Sequence, residues 1–198
     1  MRKMITVKIN GEERQYPQGA TYEDVANDYQ QEYENLIALA ARDGKIRELF
    51  KKLTRDCEIT FFTLKDDVGN KTYVRSATML FLKAVFDVFG RDISPKGKIN
   101  ATEENAAKIR NRMRELVEAK TPFLKKSYSL DNAMELFRRE GMKDKEKLFR
   151  YRRGSFVNIY EMDGYYDYYY GYMLPNAGYV KWFDVIAYED GFMLLLPD

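Results

Sequence analysis

The chain opens with an alternation of apolar and polar residues that predicts a β-hairpin. Ile5, Val7 and Ile9 alternate with polar side chains, which is the period of a strand with one buried face. An Asn-Gly dipeptide follows at residues 10–11, and it favours a two-residue turn because both positions accept a positive φ. Residues 12–16 then supply the returning strand.

A helix and further strands complete this first pattern. Thr21 is a candidate helix cap, and apolar residues keep helical spacing over residues 22–29. Residues 36–41 and 58–63 have the composition of strands. Because a strand pair, a helix and further strands follow one another in the order of a β-grasp, we expect an α+β unit over residues 1–64.

The middle of the chain predicts helices joined by polar segments. Residues 65–70 are polar and few, which is typical of a linker between units. A run of large apolar residues over 73–89 predicts a helix that is buried on most of its surface. Thr102 can cap a second helix that ends near Lys120, and residues 130–140 predict a third.

The last 45 residues hold nine of the sixteen tyrosines. Segments with strand composition alternate there with turn signals, so we predict an antiparallel, tyrosine-rich meander. The predicted strands cover residues 155–160, 168–174, 179–187 and 192–196. The tyrosines fit two interpretations: a stacking platform for a base or nucleotide, or the ordinary composition of a sheet that lies between core and solvent.

The absence of histidine restricts the chemistry more than any other feature of the composition. It excludes Ser-His-Asp and Cys-His nucleophile systems and every histidine-based metal site. The single cysteine, Cys57, excludes an internal disulfide framework and a cysteine-rich zinc site. Its place in a predicted strand favours a buried, inert thiol. An enzyme without histidine would have to use carboxylates, Lys, Tyr or a metal bound to the substrate. We assign no catalytic residue and expect no metal and no cofactor in this chain.

Charge and hydropathy limit the partners. Lys and Arg number 33 against 31 Asp and Glu, so the net charge of +2 gives no general attraction to nucleic acid. No apolar run reaches the roughly 18 residues of a membrane helix, and the chain begins directly with the strand alternation. We therefore expect no signal peptide, no membrane partner and a cytoplasmic location.

Gly44-Lys45 and Gly97-Lys98 are each followed by isoleucine, so the chain has no phosphate-binding loop of the P-loop type.

One local basic run could contact phosphate or RNA. Arg150, Arg152 and Arg153 surround Tyr151, and arginine forks fit phosphate oxygens while an interleaved aromatic ring fits a base. The alternative is a solvated helix end, where cations are favoured next to the C-terminal carbonyl groups. Other Lys and Arg residues crowd the same stretch, so both interpretations stay open.

The first unit resembles a TGS domain, the N-terminal module of threonyl-tRNA synthetase that some GTPases and stringent-response enzymes also carry. The residues that carry this resemblance lie at 5–11, 17–21, 43–45 and 56–59. The resemblance implies a TGS-type β-grasp over residues 1–64.

The remainder resembles the second, editing-type domain of threonyl- and alanyl-tRNA synthetases. It looks most like the version in bacterial uridine or nucleoside kinases that carry a synthetase-like N-terminal region. Matching segments lie at residues 145–153, 157–160, 167–175, 178–179 and 190–192. This resemblance implies an editing-like α+β domain over residues 68–198. In those kinases a P-loop kinase domain follows, and this chain contains none.

The resemblance departs from the family where the chemistry is expected. The synthetase editing site uses a His-x-x-x-His pair and a Cys-x-x-x-His pair, which here fall on Arg75 with Met79 and on Tyr169 with Met173. Arginine cannot bind a metal, and methionine and tyrosine are poor zinc ligands. The fold is therefore implied and the editing reaction is not. Residues 91–101 also look shorter than the corresponding segment of the relatives.

The replaced pairs suggest two interpretations of the cleft that holds the editing site in the family. An arginine beside tyrosines favours an anionic or planar ligand such as a nucleotide. Alternatively, Met79 and Met173 fill the cleft as flexible packing.

Two hypotheses of function follow from these observations. The first is a non-catalytic, ligand-binding or regulatory N-terminal region of a uridine or nucleoside kinase-like protein, whose partners are a nucleoside or nucleotide and its own kinase domain. The alternative is an RNA-binding module, derived from a threonyl-tRNA synthetase, that contacts tRNA through the arginine run and the β-grasp surface without editing it. A hydrolase that still deacylates tRNA is disfavoured, because all four editing residues are replaced.

Overall fold

The chain divides into two structural units. The computed structural model describes residues 3–90, 99–152 and 154–197. The first unit runs to Ser76 and includes Gly171–Pro175, and the second comprises Ala77–Tyr170 with the residues from Asn176 onward. The predicted domain boundary between residues 64 and 68 stays a prediction.

The first unit is built on a five-stranded mixed sheet. Its strand order is β2-β1-β5-β3-β4, with β1 and β5 parallel and the other neighbours antiparallel. Helix α1 follows β2, which gives the element order of a β-grasp. The elements are β1 Met4–Ile9, β2 Glu12–Pro17, α1 Tyr22–Tyr29, β3 Ile37–Arg42, β4 Lys45–Glu48 and β5 Cys57–Thr63. The sequence pattern had not indicated β4, a short strand with three polar residues.

Local sequence explains the start of this unit. Ile5, Val7 and Ile9 are buried, so the alternation does mark the core face of β1. Asn10 and Gly11 both have positive φ, 51° and 89°, as the hairpin turn requires. Thr21 caps α1, because its Oγ1 accepts a hydrogen bond from the Asp24 backbone N–H at 3.1 Å.

The polar segment after β5 is helical in its second half. The Asp66 carboxylate accepts a hydrogen bond from the Thr63 backbone N–H at 2.7 Å, and this closes a tight turn. Helix α2, Asp67–Phe89, begins at the next residue. The prediction of a linker through Asn70 is therefore wrong. Polar residues at an exposed helix start are as compatible with a first turn as with a loop.

The second unit combines helices with two antiparallel sheets, so the predicted α+β class is confirmed. Strands pair in the orders β6-β7-β8 and β9-β10. The elements are α3 Glu103–Glu118, β6 Leu124–Ser129, α4 Leu130–Arg139, α5 Lys143–Arg150, β7 Phe156–Met162, β8 Tyr165–Asp167, β9 Asp184–Tyr188 and β10 Gly191–Leu195.

A core under the three-stranded sheet holds α4 and α5 in place. Phe137 of α4 stacks on Phe149 of α5 with ring centroids 5.5 Å apart, and both rings pack against Val157 and Ile159 of β7. Thr102 and Ser129 cap α3 and α4 through side-chain hydrogen bonds to the backbone. The predicted Thr102 cap and the two predicted helices are confirmed.

The single tyrosine-rich meander is wrong in its connectivity. Residues 168–174 form no strand, because the Asp167 carboxylate accepts the Tyr168 backbone N–H at 2.6 Å and ends the ladder. Strand β6 lies beside β7 instead, and its lysine-rich sequence had given no strand signal. Residues 91–98, most of the predicted turn over 91–101, lie outside the described residues. Within the described part, no helix is long and apolar enough to cross a membrane.

Candidate functional site

In the first unit, the Arg75 guanidinium is held against the backbone of residues 171–172. Its Nε donates to the Tyr172 carbonyl oxygen at 3.1 Å. Gly171 has a φ of +132°, and a Cβ added there would lie 2.6 Å from Arg75 Cζ. Arg75 is half-buried. At this position the sequence predicted an anion-binding side chain, and the structure places it in a contact with a backbone carbonyl.

Met173 lies in a buried hydrogen-bonded segment next to α2. Ser76 Oγ donates to the Thr72 carbonyl at 2.8 Å and accepts the Leu174 backbone N–H at 2.9 Å. Its distance to the Met173 sulfur is 3.9 Å. The Met173 backbone N–H donates to Glu48 Oε1 at 3.3 Å. The structure therefore brings Arg75 and Met173 together in one unit, within a network that fixes the backbone.

Met79 and Tyr169 belong to the second unit. Met79 is fully buried. The Tyr169 hydroxyl is buried and has no hydrogen-bond partner among the described residues. Burial raises the pKa of Tyr169 well above its usual value, and the negative charge of Asp167 raises it further. Near neutral pH this hydroxyl therefore stays protonated and is a poor metal ligand.

The described residues contain no group of three or more His, Cys, Asp or Glu side chains that could hold a metal ion. The four positions of the altered pairs supply a guanidinium, two thioethers and a protonated phenol. That set offers neither a zinc site nor a general base near neutral pH.

The predicted arginine run lies at the end of α5, on the surface of the second unit. Arg150 and Arg138 both donate to the Glu146 carboxylate, at 3.0 and 2.9 Å, and both side chains are about 60% exposed. These two hydrogen bonds lower the pKa of Glu146. Two guanidinium groups thus share one carboxylate, and the cluster keeps a net positive charge.

Aromatic rings accompany these cations. Arg152 donates to the Tyr168 hydroxyl, and its guanidinium carbon lies 5.1 Å from the centroid of the Tyr168 ring. Tyr151 is 80% exposed. Arg153, the third predicted contact, lies outside the described residues. An exposed ring between two cations can stack on a base while the arginines meet phosphates.

Comparison with known proteins gives no matching family model, but it does give relatives. The chain is 27% identical to the threonine–tRNA ligase of Thermotoga neapolitana over 203 residues, which cover 93% of this chain and 31% of the relative. The chain is threonyl-tRNA synthetase-like. The corresponding ligase of Symbiobacterium thermophilum is 25% identical over 207 residues, with 94% and 31% covered. The chain spans about a third of the length of these relatives.

The sequence of this threonyl-tRNA synthetase-like chain did not indicate which side chains contact the candidate arginines. Arg138 and Glu146 lie on consecutive helices, eight residues apart, and no periodic pattern within one helix pairs them. The sequence predicts Tyr168 as a strand residue, whereas the structure places its ring against the Arg152 guanidinium. The clustering of Lys and Arg over 138–153 was the one signal in the sequence that pointed to this surface.

Proposed function

We propose that the chain is a tRNA-binding module derived from a threonyl-tRNA synthetase, without editing activity. The observation that carries this proposal is similarity to threonine–tRNA ligases over 92–93% of the chain, although no histidine remains in it. A TGS-type β-grasp over residues 1–64 and an editing-like domain over 68–198 are parts of the same proposal.

The side chains at the altered positions support binding without hydrolysis. Deacylation needs a group that takes a proton from water near neutral pH. Arg75 stays protonated and donates to the Tyr172 carbonyl. Tyr169 also keeps its proton, because burial raises its pKa. An aminoacyl ester bound to this chain would therefore meet no general base at either position.

The surface at the end of α5 is the proposed RNA contact. Arg150, Arg152 and the exposed ring of Tyr151 are adjacent in the chain and lie on the surface. Phosphate contacts supply most of the affinity of such surfaces, and aromatic stacking adds tolerance for many base sequences. Arg153 belongs to this proposed contact by its place in the sequence.

The nucleoside-kinase hypothesis stays a prediction, and no observation above favours it. The similarity to threonine–tRNA ligases favours the RNA-binding alternative. A nucleotide ligand beside Arg75 is likewise without support, because Met79 and Met173 are each fully buried.

Replacing Arg150 and Arg152 with alanine tests the proposed RNA surface. We expect the double variant to bind tRNA about tenfold more weakly at about 0.1 M salt, because two phosphate contacts are lost. The slope of log affinity against log salt should fall by about 2. Fluorescence anisotropy with end-labelled tRNA measures both quantities.

The matched control is Lys108→Ala on α3, which removes another surface cation paired with a carboxylate, at 2.7 Å. It should leave tRNA affinity within about twofold. An equal loss per cation removed in the control and the double variant would show that binding depends on net charge alone and would refute the proposed surface.

A further inference from the structure

A basic pocket lies in the first unit, and none of its lining residues belongs to the candidate sites described above. Its volume is about 420 Å³. Four of its six lining residues are Lys or Arg and none is a carboxylate: Tyr22, Arg42, Arg47, Lys51, Lys52 and Thr54. The net charge of the whole chain is only +2, yet four cationic side chains line this one pocket. Such a concentration of positive charge favours a negatively charged ligand.

The fold brings these cations together from two directions. In the β3–β4 ladder Arg47 lies opposite Ala40. Since side chains two residues apart on a strand share a face, Arg42 and Arg47 are on the same side of the sheet. The turn after β4 is tied to the start of α1, because the Tyr22 backbone N–H donates to the Lys51 carbonyl at 2.9 Å. Lys51 therefore lies beside Tyr22.

The Tyr22 hydroxyl is an unused donor in this pocket. The side chain is 1% exposed, and its buried hydroxyl has no hydrogen-bond acceptor among the described residues. Burial raises the pKa of Tyr22, while the positive charge of Arg42, the approach of its N–H groups to the hydroxyl oxygen and the charge of Arg47 lower it. The Arg42 guanidinium can only donate, so the hydroxyl proton stays without an acceptor. A buried donor without an acceptor is costly, and an anionic oxygen would satisfy it.

Both arginines are oriented but not neutralised. Arg42 Nη1 donates to Thr54 Oγ1 at 3.1 Å, and Arg47 Nη1 donates to the Ile46 carbonyl at 3.0 Å. Each guanidinium has five N–H donors, so these bonds fix the side chains and leave donors for a ligand. None of the four cations forms an ion pair with a carboxylate of the described chain, whereas nearby Arg55 is paired with Asp43 at 3.0 Å.

We propose that this pocket binds a phosphate group. A phosphate carries up to about two negative charges and three acceptor oxygens. These match the guanidinium groups, the lysines and the Tyr22 hydroxyl better than a planar, singly charged carboxylate would. The volume lies within the range of small-molecule sites. The phosphate can come from an RNA backbone or from a small phosphorylated molecule. The site does not rest on the proposed function, because it shares no residue with the surface at the end of α5.

Calorimetric titration of the full chain with sodium pyrophosphate tests this site directly. We expect binding that weakens about tenfold in Tyr22→Phe, since one hydrogen bond to a charged group is lost. Lys51→Gln should weaken it by a similar factor. Tyr22→Phe keeps the packed ring and removes a hydroxyl without an acceptor, so its thermal unfolding midpoint should equal or exceed that of the native chain.

Two matched controls separate the pocket from general effects. Tyr29→Phe removes another buried hydroxyl without a partner in the described structure, and Lys8→Gln removes another exposed lysine of the same unit. Neither residue lines the pocket, so both variants should bind pyrophosphate as the native chain does. Equal weakening in a variant and its control would overturn the site.

Titration with tRNA distinguishes the two sources of phosphate. Weaker tRNA binding in Tyr22→Phe and Lys51→Gln, with or without pyrophosphate binding, supports the site and assigns it to an RNA backbone. Pyrophosphate binding that these variants weaken, with unchanged tRNA affinity, supports a small phosphorylated ligand. If neither probe responds to either variant, the site is refuted. The proposed RNA surface at the end of α5 is tested separately, by the variants of Arg150 and Arg152.

Discussion

Replacing Gly69 with alanine is expected to destabilise the first unit by about 3 kcal/mol, the upper end of the usual range for single substitutions and for overpacking. A Cβ at this position would lie 1.9 Å from the Thr63 carbonyl oxygen and 2.8 Å from its carbonyl carbon. Both are backbone atoms of the turn that closes β5, so no side-chain rotation relieves the overlap. The start of α2 would have to move away from the sheet.

The sign of the change in unfolding free energy shows whether steric overlap or helix propensity dominates at residue 69. Alanine stabilises an ordinary helix position by about 1 kcal/mol relative to glycine, so propensity alone predicts a more stable protein. Urea unfolding followed by circular dichroism measures the change. Gly191→Ala is the matched control, because a Cβ there meets nothing within 4 Å and its φ is not in the positive region. Equal stability of the two variants would contradict the close approach at Gly69.

Replacing Asp87 with alanine is expected to cost about 3 kcal/mol of unfolding free energy, the lower end of the range for breaking a buried pair, because it leaves the Lys83 ammonium with only the exposed Asp163 carboxylate, at 3.3 Å. Lys83 is 3% exposed, and its Nζ lies 2.7 Å from Asp87 Oδ1 and 2.8 Å from the Asp163 carbonyl oxygen. Asp87 Oδ2 also accepts from Arg112 Nε at 2.8 Å. Asp87 therefore holds both cations within the second unit, and the exposed Asp163 carboxylate adds a longer contact to Lys83 at 3.3 Å.

The same helix supplies a control that differs mainly in burial. Asp67 and Lys71 form an i,i+4 pair at 2.7 Å with both side chains more than 60% exposed. Asp67→Ala should therefore cost less than about 1 kcal/mol. Adding Lys83→Met to Asp87→Ala should recover part of the loss, since the buried charge is then gone. A small effect of Asp87→Ala with no recovery in the double variant would contradict a buried pair.

Features set by neighbouring residues were predictable from the sequence. Asn10-Gly11 makes the first hairpin through the φ values that those residues tolerate. Thr21 and Thr102 cap helices because their hydroxyls reach N–H groups three residues on. The alternation of Ile5, Val7 and Ile9 marks the buried face of β1. In each case the physical cause lies within a few residues of the pattern.

Features set by distant residues were not predictable in this way. Residues 168–174 have strand composition, but their hydrogen bonds go elsewhere: the Met173 N–H reaches Glu48, 125 positions away along the chain. Strand β6 is Lys- and Ser-rich and exists because β7 pairs with it. The residues that line the basic pocket likewise come from two strands, a turn and a helix, so no short sequence motif predicts it.

The central proposal is binding of tRNA without hydrolysis of its ester, and one measurement tests both halves. The full chain is mixed with tRNA that carries a radiolabelled amino acid, and bound tRNA and released amino acid are followed in the same sample. We expect saturable binding while the ester is lost at its rate in buffer. A general base in the site would accelerate that loss by at least about 100-fold. Catalysed release, or the absence of any binding at about 0.1 M salt, would contradict the proposal.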